Sequence, residues 1–190
     1  MIDKQWAQNC LRHNRNSALL SIAGMQLFNS DAILTLKDKN ILIAQDEIRF
    51  NPEQNDFADY LYRLDLNQIV DEYLNHHSRF METVSVFFKT LRRSLVKESF
   101  EVTKAYAIKI GKDSEFKSLS FYQYARIIRN AISHDFHFHF KAHDLRFLPL
   151  TWDGVTLDAS LHDKDMLDTH LPPGTAWKLY SEFVTFVNNS

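Results

Sequence analysis

Phe121-Tyr122-Gln123-Tyr124-Ala125-Arg126-Ile127-Ile128-Arg129-Asn130-Ala131-Ile132-Ser133-His134 is the stretch whose periodicity decides the fold class. At roughly 100° per residue, Tyr124, Ala125, Ile127, Ile128, Ala131 and Ile132 fall on one side of a helix. Gln123, Arg126, Arg129, Asn130, Ser133 and His134 fall on the other. Apolar residues at this spacing specify an amphipathic helix that buries one side. The helix is expected to run from about Ser118 to His134. Arg126, Asn130 and His134 follow one another at i, i+4, and Arg129 and Ser133 form a parallel pair. The polar side therefore gathers guanidinium, carboxamide and imidazole groups toward one helix end.

Outward from this segment the chain remains helical. Between Asn67 and about Ile110 no Gly or Pro occurs until Gly111, a good residue to end a helix. Ile69, Tyr73, Phe80, Val84, Phe87, Phe88, Leu91 and Leu95 keep a 3.6-residue period there, which predicts two helices or one long kinked one. A first helix is expected over about Gln5–Phe28, with Trp6, Cys10, Ala18, Leu19, Ile22, Ala23 and Leu27 as its apolar positions and Asn29-Ser30-Asp31 as its stop. Ile41-Leu42-Ile43-Ala44 reads either as a short strand or as a buried helical turn. Asn51-Pro52 breaks the chain, and a short helix is expected over Asp56 to Leu64.

After His134 the period changes. Phe136-His137-Phe138-His139-Phe140 alternates strictly, the pattern of a half-exposed strand. Trp152-Asp153-Gly154 is a hairpin signal between Leu145–Leu150 and Val155–Leu157. Pro172-Pro173-Gly174 is a turn, and Ala176–Val187 closes the chain as a helix with Trp177, Tyr180, Phe183, Val184 and Val187 inward. Only 4 Gly and 4 Pro occur, a scarcity that helices tolerate and a turn-rich all-β fold does not. The 15 Phe predict an aromatic core. The expected fold is all-α: one domain over residues 1–190, an up-and-down helical bundle with a β-hairpin appendage at about 136–158 and a closing helix at about 175–188.

The formal net charge of −2 provides no global basic field, so contact with nucleic acid must rest on a local patch. One exists: Lys89, Arg92, Arg93, Lys97, Lys104, Lys109 and Lys112 face only Glu98 and Glu101 over the same residues, locally +5. It reads either as a phosphate track or as a solvated helix face. A single cysteine, Cys10, excludes an internal disulfide and a multi-cysteine zinc site, and it reads as a core residue. The N-terminus lacks the apolar region of a signal peptide, and no run of about 18 apolar residues occurs. The expectation is a cytoplasmic protein with no membrane contact.

Arg129-Asn130-x-x-x-His134 carries the functional reading. By itself it is also a solvated helix face, and an arginine followed by a histidine at this distance arises about once by chance in such a composition. The motif, however, ends a late helix in a helical chain of single-domain size. Arg129-Asn130-x-x-x-His134 resembles the R-x4–6-H motif of the HEPN superfamily, in which a polar residue often follows the arginine. The hairpin around Leu148-Pro149-Leu150-Thr151-Trp152-Asp153-Gly154 resembles decorations of some bacterial HEPN proteins.

The resemblance implies a metal-independent endoribonuclease without a cofactor, of the kind used as a toxin or defence effector. It implies His134, Arg129 and Asn130 as catalytic residues, Arg126 and Ser133 at the substrate, and RNA as that substrate. It further implies a homodimer through the motif helix, with an antitoxin or regulatory protein as a further partner. A non-catalytic HEPN module binding RNA, a nucleotide or a protein is the alternative. The chemistry suits the residues: an imidazole titrates near neutrality and moves protons, and a guanidinium fork matches phosphate oxygens.

His134, Asp135, His137, His139 and His143 form a competing, metal-like group, since His137 and His139 on a strand would point the same way. No H-E-x-x-H, Walker A loop, dinucleotide glycine fingerprint or G-x-S-x-G elbow occurs, and His76-His77 has no adjacent nucleophile.

Overall fold

The computed structural model describes residues 1–28, 31–44, 48–50 and 60–190. In chain order the elements are α1 (Lys4–Phe28), a 3-10 turn, β1 (Asn40–Ala44), β2 (Ile48–Phe50), β3 (Tyr60–Asp65), α2 (Asn67–Asn75) and α3 (His77–Arg92). A π-helical segment (Arg93–Glu98) leads into α4 (Ser99–Lys109), followed by α5 (Asp113–Ser118), α6 (Tyr122–Ser133) and α7 (Ala142–Leu145). The hairpin β4 (Leu150–Trp152) and β5 (Val155–Leu157) and the last helix α8 (Pro173–Asn189) complete the chain. The protein is mostly helical, a bundle carrying a small C-terminal hairpin. It forms two compact units, Met1–Leu19 with Phe88–Ser190, and Leu20–Phe87. Among the described residues no helix is long and apolar enough to cross a membrane.

In the first unit, Asp3 starts α1 by accepting the Trp6 N–H at 2.8 Å, the usual task of an N-cap carboxylate. The buried stripe is Ala7, Leu11 and Ala18, while Leu19 is exposed and Cys10 only half-buried. Cys10 is therefore not the core residue expected. Gly111, at φ +74°, ends α4: its N–H reaches the Ile108 carbonyl (3.1 Å) and the Lys112 N–H reaches that of Ala107 (2.8 Å), a Schellman motif. Leu119 is extended, at ψ 141°, so Ser118 ends α5 and the motif helix begins only at Tyr122.

The phenylalanines meet where α4, α5, α6 and α8 converge. Phe116 lies 5.8 Å from Phe100, 5.1 Å from Tyr122 and 4.9 Å from Phe186 between ring centroids. Phe183 contacts Phe100 and Phe121 at 6.0 and 5.7 Å. The hairpin turns through Asp153 (φ 49°) and Gly154 (φ 74°), as a two-residue Asp-Gly loop requires. Trp152 then packs 5.3 Å from Tyr124, and Asp153 accepts Thr175 Oγ1 (2.9 Å) and Lys178 Nζ, tying the hairpin to α8.

Phe136, Phe138 and Phe140 are buried, whereas His139 is exposed and His137 half-buried, as the alternation predicts. The partner of this stretch is not the hairpin. Phe138 N–H donates to the Lys164 carbonyl (2.8 Å), Asp163 N–H to that of Phe138 (2.9 Å) and Met166 N–H to that of Phe136 (2.7 Å), around a single His137–Asp165 bridge.

In the second unit, β2-β1-β3 form an antiparallel sheet with Leu42 opposite Arg49 and Arg63. Residues 41–44 are thus strand. Residues 60–65 are strand as well, where a helix over Asp56–Leu64 was expected; the rest of that stretch, the Asn29-Ser30 stop and the Asn51-Pro52 break lie outside the described residues. Ile33, Val70, Phe80 and Val84 form this unit's core, and Tyr73 meets Phe80 edge-on at 5.3 Å.

Phe183 is fully buried among aromatic rings. Phe183→Ala is expected to lower the unfolding free energy by about 3–5 kcal/mol, read by urea denaturation. A loss below about 1 kcal/mol, the range of a surface change, contradicts this packing.

Candidate functional site

The apolar side of α6 is buried throughout: Tyr124, Ala125, Ile127, Ile128, Ala131 and Ile132 all lie in the core. Its polar side meets three different neighbours. Arg126 donates through Nη1 to Asp144 (2.5 Å) and through Nε to Gln123 (2.9 Å), and its guanidinium lies 5.7 Å from the centre of the Phe147 ring. Asp144 is buried and also accepts the Lys141 N–H at 2.8 Å. Burial alone would raise its carboxyl, but the Lys141 N–H and the Arg126 guanidinium outweigh that and hold it below the usual carboxylate range. Arg126 is thereby a structural cation.

Arg129 donates through Nε to Glu101 of α4, whose carboxylate also forms an ion pair with Nη2, and through Nη1 to Asn130 Oδ1 at 3.0 Å. These hydrogen bonds use two of the five N–H groups of the guanidinium. Ser133 donates its hydroxyl back to the Arg129 carbonyl (3.0 Å), a bond within the helix.

His134 caps α6, its backbone N–H shared between the Asn130 and Ala131 carbonyls, and its side chain is exposed. The two residues after it, Asp135 (φ 55°) and Phe136 (φ 60°), both occupy the left-handed region, unusual for a bulky side chain. The His137 N–H closes the turn on the His134 and Ala131 carbonyls at 3.1 and 3.2 Å. This reversal brings His139 to 6.1 Å from His134 between ring centroids, and His162 stands 5.3 Å beyond His139.

The metal-like group is differently composed from the one read in the sequence. His137 pairs with Asp165 (3.1 Å), and His143 lies beside Phe147 (5.3 Å). His139, His162 and Asp163 instead bring ligand-type atoms within 4.8 Å of one another. The hydrogen bonds assign protons there. His162 Nδ1 accepts the Phe140 N–H at 3.0 Å, which puts the proton of the neutral ring on Nε2, the nitrogen 3.5 Å from Asp163. A metal at Nε2 would have to displace that proton while Nδ1 cannot take it, so the trio fits a hydrogen-bonded cluster better than a metal centre.

Four of the seven cations of the basic run have a carboxylate partner. Arg92 pairs with Asp168 (2.5 Å), Arg93 with Asp135 (3.8 Å), Lys97 with Glu98 (3.8 Å) and Lys112 with Glu115 (3.4 Å). Glu101, Asp144, His162 and Asp163 were missed by sequence reasoning. They lie 18 to 28 residues from their partners in α6 and the histidine stretch, and no spacing announces them. No family model, curated protein or solved structure matches the chain.

Asp144→Asn leaves the mostly buried Arg126 without its counter-charge, and is expected to cost about 3 kcal/mol. The folded carboxyl titrates below its unfolded value of about 4, so its contribution is complete above that value and fades as pH falls through the folded one. Urea unfolding of wild type and Asp144→Asn should therefore differ by a constant amount from pH 7 to 5 and converge below pH 4. A difference independent of pH contradicts the assignment.

Proposed function

We propose that the protein is a metal-independent endoribonuclease in which His134 and Arg129 are the catalytic residues and Asn130 positions the guanidinium. The observation that supports this best is that the last two turns of α6 and its cap carry both an exposed imidazole and a guanidinium already oriented by Asn130 and Glu101. RNA brings its own nucleophile. An imidazole takes the 2′-hydroxyl proton, the oxygen attacks phosphorus, the bond to the 5′ oxygen breaks and that oxygen is protonated, leaving a 2′,3′-cyclic phosphate and a 5′-hydroxyl. The N–H groups of Arg129 beyond its hydrogen bonds to Glu101 and Asn130 suit the non-bridging oxygens, where negative charge builds up. One imidazole does not serve both proton transfers at once. A second copy joined through α6 by a two-fold axis supplies a second His134, so the proposed enzyme is a homodimer.

A non-catalytic module that binds RNA, a nucleotide or a protein is the second reading, favoured by Glu101, whose carboxylate neutralises the cation that would meet phosphate. A cleavage assay in EDTA separates the two. Wild type should cut RNA to 2′,3′-cyclic ends, with His134→Ala slower by about 10²–10⁴-fold and Arg129→Ala by about 10²–10³-fold, folding unchanged. Cutting by His134→Ala at the wild-type rate, or a folded dimeric wild type that leaves a broad RNA panel intact, removes the catalytic reading.

A further inference from the structure

A groove of about 320 Å³ lies between the N-terminal half of α1 and the C-terminal half of α8, both in the first unit. Arg12, Arg15, Gln8, Asn9 and Asn188 line it, over a floor that includes Leu11 and Val184. Among the described residues no carboxylate lines it. This volume falls within the range of small-ligand sites.

The hydrogen bonds leave the groove rich in donors. Arg12 Nη2 donates to Asn9 Oδ1 at 2.9 Å. Arg15 Nε and Nη2 donate to Asn16 Oδ1 at 3.4 and 3.2 Å. Arginine only donates, so each of these carboxamides must turn its oxygen to the guanidinium and present its NH₂ elsewhere. Gln8 Nε2 occupies Asn188 Oδ1 in the same way at 2.9 Å. Four N–H groups of Arg12 and three of Arg15 remain beyond these bonds. Neither guanidinium meets a carboxylate among the described residues, whereas four of the five other arginines of the same unit, Arg92, Arg93, Arg126 and Arg129, do. Two unneutralised guanidinium forks beside amide donors match an anion with several oxygens.

We infer that this groove binds a phosphate-bearing ligand, with Arg12 and Arg15 on the phosphate oxygens and the amides of Asn9 and Asn188 beside them. A free nucleotide and a segment of nucleic-acid backbone present the same group. The inference is independent of catalysis at α6. Its test uses the full chain carrying Arg129→Ala and His134→Ala, so that neither cleavage nor the α6 end contributes.

Calorimetric titrations with AMP and with a short oligoadenylate should show saturable binding by at least one. That binding should weaken at least tenfold in Arg12→Gln/Arg15→Gln and fall as salt rises from 50 to 200 mM, as phosphate contacts do. AMP binding alone identifies a free nucleotide, and much tighter oligoadenylate binding identifies the backbone. Asn188→Asp keeps the acceptor for Gln8 while adding a negative charge, so it should weaken binding similarly without disturbing the fold, read by circular dichroism and thermal melting. Absence of binding by both probes at millimolar concentration, or folded variants that bind as the parent does, overturns the inference.

Discussion

Near the candidate site everything depends on α6 being unable to rotate about its own axis. Seven side chains spread over its length are buried, and the Tyr124 hydroxyl donates to the His170 carbonyl at 2.6 Å, fixing the helix on its inner side. Burial pushes the Tyr124 phenol well up, so that hydroxyl keeps its proton and stays a donor across the ordinary pH range. Turning the helix by one residue would carry Arg126 and Arg129 away from Asp144 and Glu101 and drive a polar group into the aromatic core. The outward direction of the polar residues is therefore a consequence of packing on the opposite side.

The turn after α6 shows which of two opposed effects wins. Holding Asp135 and Phe136 at positive φ costs about 1–3 kcal/mol each. Burying Phe136, Phe138 and Phe140 contributes about 1.5–3 kcal/mol each, and all three rings are at most 6% exposed. Burial exceeds strain, so the chain reverses sharply and runs alongside residues 163–166. Because side chains alternate along an extended chain, sending the phenylalanines inward sends His139 outward, beside His134 and His162.

The legible parts of this fold are those written in local periodicity. The α6 core residues, the Asp153-Gly154 hairpin and the inward phenylalanines each repeat at 3.6 or 2 residues or occupy one turn. Register was less legible: the α1 stripe passes through Ala7 and Leu11, one residue beyond Trp6 and Cys10, because a 3.6-residue period over mixed residues fits two neighbouring faces almost equally well. Phe88 keeps the α3 period yet is 39% exposed. The β3 strand was read as helix because its residues pair with β1 across some twenty intervening positions. At the site, the residues of the motif were visible, and the carboxylates that restrain them were not. An ion pair between distant residues leaves no trace in spacing.

Those carboxylates separate two arginines that the sequence treats alike. Asp144 is buried and the Arg126 side chain is only 18% exposed, so withdrawing Arg126 would strand a charge away from water, a cost of several kcal/mol. The Arg129–Glu101 pair is open to solvent, its side chains 30% and 36% exposed. Water screens such a pair, and its net contribution is about 0–1 kcal/mol. A phosphate presenting more charge and more acceptor oxygens than one carboxylate can displace Glu101 at that small cost, and Arg129 stays pointed outward by Asn130 as it does so. For the proposed chemistry Glu101 is thus a replaceable occupant of the anion position, whereas Asp144 is a fixed part of the fold.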